Sequence, residues 1–419
     1  MKVLNRYSVG TGDRFGRQGE AQLHAFELLA ARGVEASIVW NKSNREHLLI
    51  GTGPEDQRAA SDAAVKAMHW QGAYHVDADH INMTTVDRFL DASDFFTLDV
   101  ADWIGKPADE NDLDRFIGRH ASLLGGLEIP GIDEPLNLSE PLMRQAAVKY
   151  LLAVRKAGEI YRHIAQSRGR GNFITEISMD ETDQPQTPLD LLFILAAVSD
   201  EGIPVQTIAP RFSGRFNKGI DYVGDVRQFA REFEQDLAVL RFAVERYGLP
   251  RELKLSVHSG SDKFSLYPLM YTALRAADAG VHLKTAGTTW LEELIGLAMA
   301  GGDGLRIAQD VYRAAFRRYD ELCGPYASVV DIDRSALPDP DRVDRWDEAA
   351  LAGALRHDPR CPAYDRNLRQ LLHVAYKVAA EMGARFLDAL AANEAVIGRR
   401  VTDNLYRKHI LSVFPKRQD

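Results

Sequence analysis

Short runs of apolar, β-branched residues alternate along most of the chain with longer stretches whose apolar positions recur at helical spacing. The runs Ala36–Trp40, Ala73–Val76, Phe95–Val100, Phe173–Met179, Ile203–Ile208, Leu253–His258, Val281–Lys284 and Ser328–Ile332 predict strands. Between them, Gln18–Ala31, Glu55–His69, Glu140–Arg168, Thr187–Asp200, Asp225–Tyr247, Leu266–Ala279 and Thr288–Ala300 predict amphipathic helices. Thr187-Pro188-Leu189-Asp190 places an N-cap before a proline at the first helical position, and Gly202 closes that helix. Strand-helix alternation with right-handed crossovers implies a parallel sheet. About eight such repeats favour an α/β protein built on a closed (β/α)8 barrel of the TIM type.

Two regions break the alternation. Residues 101–137 carry Asp102, Asp109, Glu110, Asp112 and Asp114 and read as an acidic insertion between strands. From Pro338 the pattern is wholly helical. The expected organisation is therefore a catalytic barrel over residues 1–337 and a helical extension, 338–419, that packs on the barrel or caps its mouth. No repeat of fixed period is present.

Composition narrows the class. Of 419 residues, 45% are hydrophobic and 26% charged, as in an ordinary globular protein. The formal net charge is −9 and no Lys/Arg-rich block occurs, so no nucleic-acid partner is expected. Two distant cysteines, Cys323 and Cys361, fit a reducing cytoplasm better than a disulfide scaffold. The N-terminal segment lacks an apolar core, and Leu191–Val198 is too short to span a bilayer, so a cytoplasmic protein without membrane contact is expected. Oligomeric state is left open.

Four polar clusters each close an apolar run: His75-Val76-Asp77-Ala78-Asp79-His80, Glu176–Glu181, His258-Ser259-Gly260-Ser261-Asp262-Lys263 and His282-Leu283-Lys284. The C-terminal ends of barrel strands share one mouth, so these clusters would converge there. Imidazole and carboxylate together suit a divalent cation such as zinc, manganese, cobalt or nickel. Asp77 and Asp79 share a strand face, and a turn at Asp79-His80 would bring both of the latter residues into the pocket. Glu176, on a buried strand, must be paired or metal-bound to offset desolvation. Ser259, Gly260 and Ser261 let a ligand approach the backbone closely. The competing readings are solvated strand ends, a core histidine, a capping aspartate at 262 and a structural His282–Lys284 pair.

The motifs Gly10-Thr11-Gly12-Asp13-Arg14-Phe15-Gly16, His75–His80, Val257–Phe264 and Asn404–Ile410 resemble the tagaturonate epimerase family, and they span nearly the whole chain. That resemblance implies a metal-dependent barrel interconverting tagaturonate and fructuronate in hexuronate catabolism. Asp79-His80, Glu176–Glu181 and His258-Ser-Gly-Ser are also similar to class II, metal-dependent aldolases. This second likeness implies Asp79 as the base and His80 and His258 as metal ligands. The middle aldolase histidine has no counterpart in Ile208–Phe212, and Glu176 is the expected substitute, as ligand and as catalytic group. The expected substrate contacts are Asp13, Arg14, Arg211, Lys218, Ser259, Ser261, Asp262, Lys263, His282 and Lys284. Arg14, Arg211, Lys218, Lys263 and Lys284 are the cations available to a substrate carboxylate. No Gly-x-x-x-x-Gly-Lys-Ser/Thr loop occurs, consistent with an unphosphorylated acidic ketose.

The implied chemistry is demanding. The hydrogen on carbon 4 lies β to the ketone and is not acidified by it. Retro-aldol cleavage between carbons 3 and 4 avoids that problem, and a deprotonation route through a migrating carbonyl remains its alternative. A class II-type aldolase, another sugar isomerase, or a non-catalytic sugar-acid binding protein would use the same barrel.

Overall fold

Parallel strands covered on both faces are buried along their length, and the short runs of this chain are buried almost throughout. The computed structural model describes residues 2–180, 182–285 and 287–414. Its strands are β1 (Tyr7–Thr11), β2 (Ala36–Ser43), β3 (Tyr74–Ile81), β4 (Phe95–Asp99), β5 (Gly125–Leu127), β6 (Leu136–Leu138), β7 (Ile174–Ser178), β8 (Thr207–Ala209), β9 (Lys254–His258) and β10 (Val281–Lys284). Eight of them form a closed parallel barrel in the order β1-β2-β3-β4-β7-β8-β9-β10, with β10 pairing back onto β1. Among the described residues, no helix is long and apolar enough to cross a membrane.

The structure corrects the strand list at both ends. Tyr7–Thr11, with Ser8 and Gly10 breaking the apolar run, is the first barrel strand, and all five residues are buried. Ser328–Ile332 forms no strand; Val330 and Ile332 instead pack into a helical core. The insertion at 101–137 carries regular elements. Its helix Glu110–Arg119 buries Leu113, Phe116 and Ile117, β5 and β6 form an antiparallel hairpin, and Arg144 of the long helix Glu140–Arg168 pairs with Glu110 at 3.1 Å.

Past β10 the described elements are all helical, beginning with Thr288–Ala300 and Gly302–Arg317. In the helix Thr288–Ala300 every residue from Thr288 to Ala298 is buried, so it has no solvent face of the kind an outer barrel helix keeps. Trp290, Leu294 and Ile295 share one apolar core with Val311, Leu371, Leu372, Phe386 and Ile397 from later helices. This body is tied to the barrel by charge. Asp262, just past β9, accepts from Arg369 at 2.8 Å and lies 3.2 Å from both His357 Nδ1 and His409 Nε2.

One irregularity shapes the mouth. The β3–β4 register shifts between Ala78 and Ile81, and His80 within that shift has φ 51°. A non-glycine residue in the left-handed region is uncommon, and a bulge of this kind re-aims side chains at the end of a strand.

Candidate active site

Five barrel strands contribute to a buried cluster around one ammonium. Lys284 Nζ, from β10, lies 2.9 Å from Asp77 Oδ2, 2.7 Å from Asp79 Oδ1 and 3.0 Å from Glu176 Oε1. It also donates to Thr97 Oγ1 at 2.6 Å. Thr97 in turn lies 3.0 Å from Asp77 and 3.1 Å from Glu176. His258 Nε2 reaches the same Glu176 Oε1 at 2.9 Å.

The electrostatics follow from this arrangement. Burial disfavours the Lys284 ammonium, but Asp77, Asp79 and Glu176 together hold its pKa well above the ordinary value. Burial likewise favours neutral carboxyls, yet Lys284 and His258 keep Glu176 well below the usual range, and Lys284 with His80 keeps Asp79 below it. Asp77, where burial outweighs Lys284, is pushed up to about 7. Asp79 and Glu176 are therefore the ionised members, and Asp77 is the one that takes a proton near neutrality.

Nearer the mouth, the bulge at His80 sets its ring edge-on to His258, with ring centroids 5.2 Å apart. His80, Asp180 and His258 each offer a ligand atom, and the three atoms lie within 4.8 Å of one another. His258 Nδ1 is buried and makes no hydrogen bond among the described residues, although Asp180 Oδ1 lies 3.1 Å away. His80 Nδ1 has the same status beside Asp99, at 3.5 Å. Two orphaned imidazole nitrogens beside carboxylates form a donor set that a divalent cation fits. Burial opposes charge on His258, but Asp180 raises its pKa to about 9.

The structure separates the expected site residues into groups. Asp79, His80, Glu176, His258 and Lys284 converge at the mouth. Glu176 is fully buried; its Oε1 faces Lys284 Nζ and His258 Nε2, while its Oε2 makes no hydrogen bond among the described residues. Asp180, four residues on, stands with the two histidines. His282 lies deeper, with Nδ1 2.8 Å from Ser8 Oγ, and burial lowers its pKa to about 3.

Several expected substrate contacts are engaged with the protein itself. Asp13 accepts from Arg17 N at 3.0 Å and Gln18 N at 2.7 Å, capping the turn into the helix Gly19–Ala30. Ser259 Oγ donates to Lys284 O at 2.6 Å, and Ser261 Oγ accepts from Gly219 N at 3.0 Å. Lys263 Nζ, fully buried, donates to Ile220 O at 2.9 Å and Ser261 Oγ at 3.1 Å. Each of these four residues, like Asp262, bonds to a neighbouring segment of the chain. Arg211 Nη1 donates to Asp180 O at 3.3 Å. Arg14 pairs with Glu46 at 3.0 Å, and Lys218 lies 5.4 Å from the Tyr326 ring.

The model of the tagaturonate epimerase family matches residues 2–410. The chain belongs to the tagaturonate epimerase family. A relative in that family, tagaturonate/fructuronate epimerase of Thermotoga maritima, is 28% identical over 430 residues, covering 96% of this chain and 80% of that protein. The glycerol-complexed crystal structure of fructuronate-tagaturonate epimerase from Cohnella laeviribosi is similar with a TM-score of 0.79 at 26% identity, covering 98% of this chain and 82% of that one. A probable tagatose 6 phosphate kinase from Sinorhizobium meliloti, 12% identical with a TM-score of 0.51 over 98% of this chain and 100% of its own, shares the fold alone.

Sequence reasoning missed Asp180 as a partner of the histidines, although it lies inside the quoted Glu176–Glu181 cluster. It also missed Thr97, because a threonine in an apolar strand gives no signal of its three polar contacts. Glu181, the last residue of that cluster, lies outside the described residues.

Proposed function

We propose that this protein is an isomerase that interconverts D-tagaturonate and D-fructuronate at carbon 4, acting on an unphosphorylated acidic ketose in the hexuronate catabolism of the cytoplasm. The observation that carries the reading is the placement of Asp79, ionised against Lys284, beside the His80, Asp180 and His258 donor set at one barrel mouth. His80, Asp180 and His258 would hold a divalent metal. Such an ion supplies Lewis-acid polarisation of the ketose oxygen.

The protein's own groups do the rest. Asp79 Oδ1 accepts the proton of the carbon-4 hydroxyl as the bond between carbons 3 and 4 breaks, and the bond's electron pair moves onto the ketone-bearing fragment. Lys284, 2.7 Å from that oxygen, keeps Asp79 ionised beforehand. Rotation of the aldehyde fragment and re-formation of the bond on its other face, with the proton returned from Asp79, gives the epimer. The bulge at His80 serves this step by setting base and metal donor side by side.

The test is incubation of metal-reconstituted protein with tagaturonate, followed by NMR of the products. One isomeric hexulosonate is expected. Accumulation of two shorter fragments would make the protein an aldolase on the same site, and binding without turnover would make it a sugar-acid binding protein.

A further inference from the structure

We propose that Arg14, Asn217 and His373 form the subsite that holds the substrate's carboxylate, with His373 supplied by the helical extension; this rests on the acidic-ketose reading above. The cations first available for that role are largely committed. Lys284 is surrounded by three carboxylates that would repel a fourth. Lys263 is fully buried against a carbonyl and a hydroxyl, and Arg211 is bound to Asp180 O.

Arg14 is different. It is buried, and its Nε and Nη1 have no hydrogen-bond partner among the described residues. The same holds for both amide atoms of Asn217, 1% exposed, and both ring nitrogens of His373, 2% exposed. Buried donors left unpaired cost about 1–3 kcal/mol each, so three such side chains in one region call for a common acceptor.

The backbone brings the segments that carry these groups close together: Arg14 follows β1, Asn217 follows β8, and the helix Arg366–Val374 that carries His373 packs against the residue Gly287 just past β10. A Cβ on Gly219, two residues past Asn217, would lie 3.3 Å from His373 Cβ. A side chain on Gly287, just past β10, would overlap His373 Nε2. The Arg14 guanidinium lies 4.5 Å from the Tyr376 ring, three positions beyond His373, and Tyr376 shares a 3.0 Å contact with the hydroxyl of Tyr326, on which Lys218 stacks. Burial, then Lys218 and Arg14, hold the His373 pKa well below its ordinary value, the field that an anion would relieve. The reactive cluster is near: Arg14 pairs with Glu46, which feels the charge of Asp79. A carboxylate offers about four acceptor positions, enough for one N–H from each of the three side chains.

The experiment is calorimetric binding of tagaturonate and of the neutral ketose tagatose to the metal-loaded protein, comparing wild type with Arg14→Met, Arg14→Lys, Asn217→Ala and His373→Leu. Wild type is expected to prefer tagaturonate. Arg14→Met, Asn217→Ala and His373→Leu each weaken tagaturonate binding by about 10–100-fold, as loss of a charge-assisted hydrogen bond requires. Tagatose affinity moves little in the same variants, and Arg14→Lys recovers part of the loss. Because Asn217→Ala and Arg14→Lys are mild changes, a fold defect in His373→Leu does not obscure the result. Retained preference for tagaturonate in folded Arg14→Met and Asn217→Ala overturns this subsite and leaves the proposed function standing. Equal wild-type affinity for the two sugars overturns both.

Discussion

Lys284 Nζ lies 2.7 Å from Asp79 Oδ1, across the barrel from the strand that carries it. Replacing Lys284 with Met leaves Asp79 and Glu176 buried without their main counter-charge. Breaking such a pair from one side costs about 3–5 kcal/mol. Urea unfolding at pH 7 is expected to show that loss, and turnover of tagaturonate is expected to vanish. An active, equally stable Lys284→Met protein would show that the ammonium is incidental.

Asp79 is expected to act as the base and not as a metal donor. Asp79→Asn retains shape but accepts a proton poorly. It should lower kcat by about 10²–10⁴-fold while metal content by elemental analysis stays at the wild-type level. Near-normal turnover would remove Asp79 from the mechanism.

The donor set separates from the deeper carboxylate in a similar way. His258→Ala and Asp180→Ala are expected to lose bound metal, whereas Glu176→Gln keeps it, because Glu176 Oε1 is occupied by Lys284, His258 and Thr97. Metal retained in Asp180→Ala and lost in Glu176→Gln would restore Glu176 as the third ligand.

Much of this site was legible because barrel topology turns strand-end polar clusters into neighbours. Asp79-His80, Glu176, His258 and Lys284 each closed an apolar run, and a shared mouth brings such positions together. That Asp180 stands with the two histidines while the Lys284 ammonium settles on Glu176 Oε1 was not legible, since both depend on tertiary packing. Nor were the partners of Ser261, Asp262 and Lys263, which are Gly219, Arg369 and Ile220 and are set only by tertiary packing. Strand β1 escaped notice because Ser8 and Gly10 dilute its apolar character. Both residues answer to β10, for Ser8 bonds His282 and Gly10 makes room for Lys284.

Gly10 gives a steric test of that closure. A Cβ there would lie 2.7 Å from Lys284 Cγ and 3.3 Å from His282 Nε2. The near end of the lysine chain has little freedom to move, so Gly10→Ala must displace the ammonium from its carboxylates. A fall in kcat of at least about tenfold is expected, equivalent to roughly 1.4 kcal/mol of transition-state stabilisation. Circular dichroism should remain that of the folded protein. Wild-type kcat in Gly10→Ala would show that Lys284 tolerates displacement.

Asp262 sets the acid limit of the link between barrel and helices. Burial alone would raise its pKa, but Arg369, His357 and His409 hold it well below the ordinary 3.8. A carboxyl depressed in the folded state stabilises the fold fully above the unfolded value, because there the unfolded chain binds no more protons than the native one. As pH falls below about 4 the unfolded chain takes up the proton first, and that stability is progressively lost. Asp262→Asn removes the charge while Arg369 stays buried, so it should cost about 3–5 kcal/mol at pH 7. It should also flatten the acid limb of stability against pH, since the variant has no such carboxyl to protonate. Urea unfolding of both proteins at pH 7 and at pH 3 measures the two effects together. A variant as stable as wild type at pH 7, or one that loses stability as steeply on acidification, would show that the helical body is held to the barrel by its apolar contacts and not by this charge.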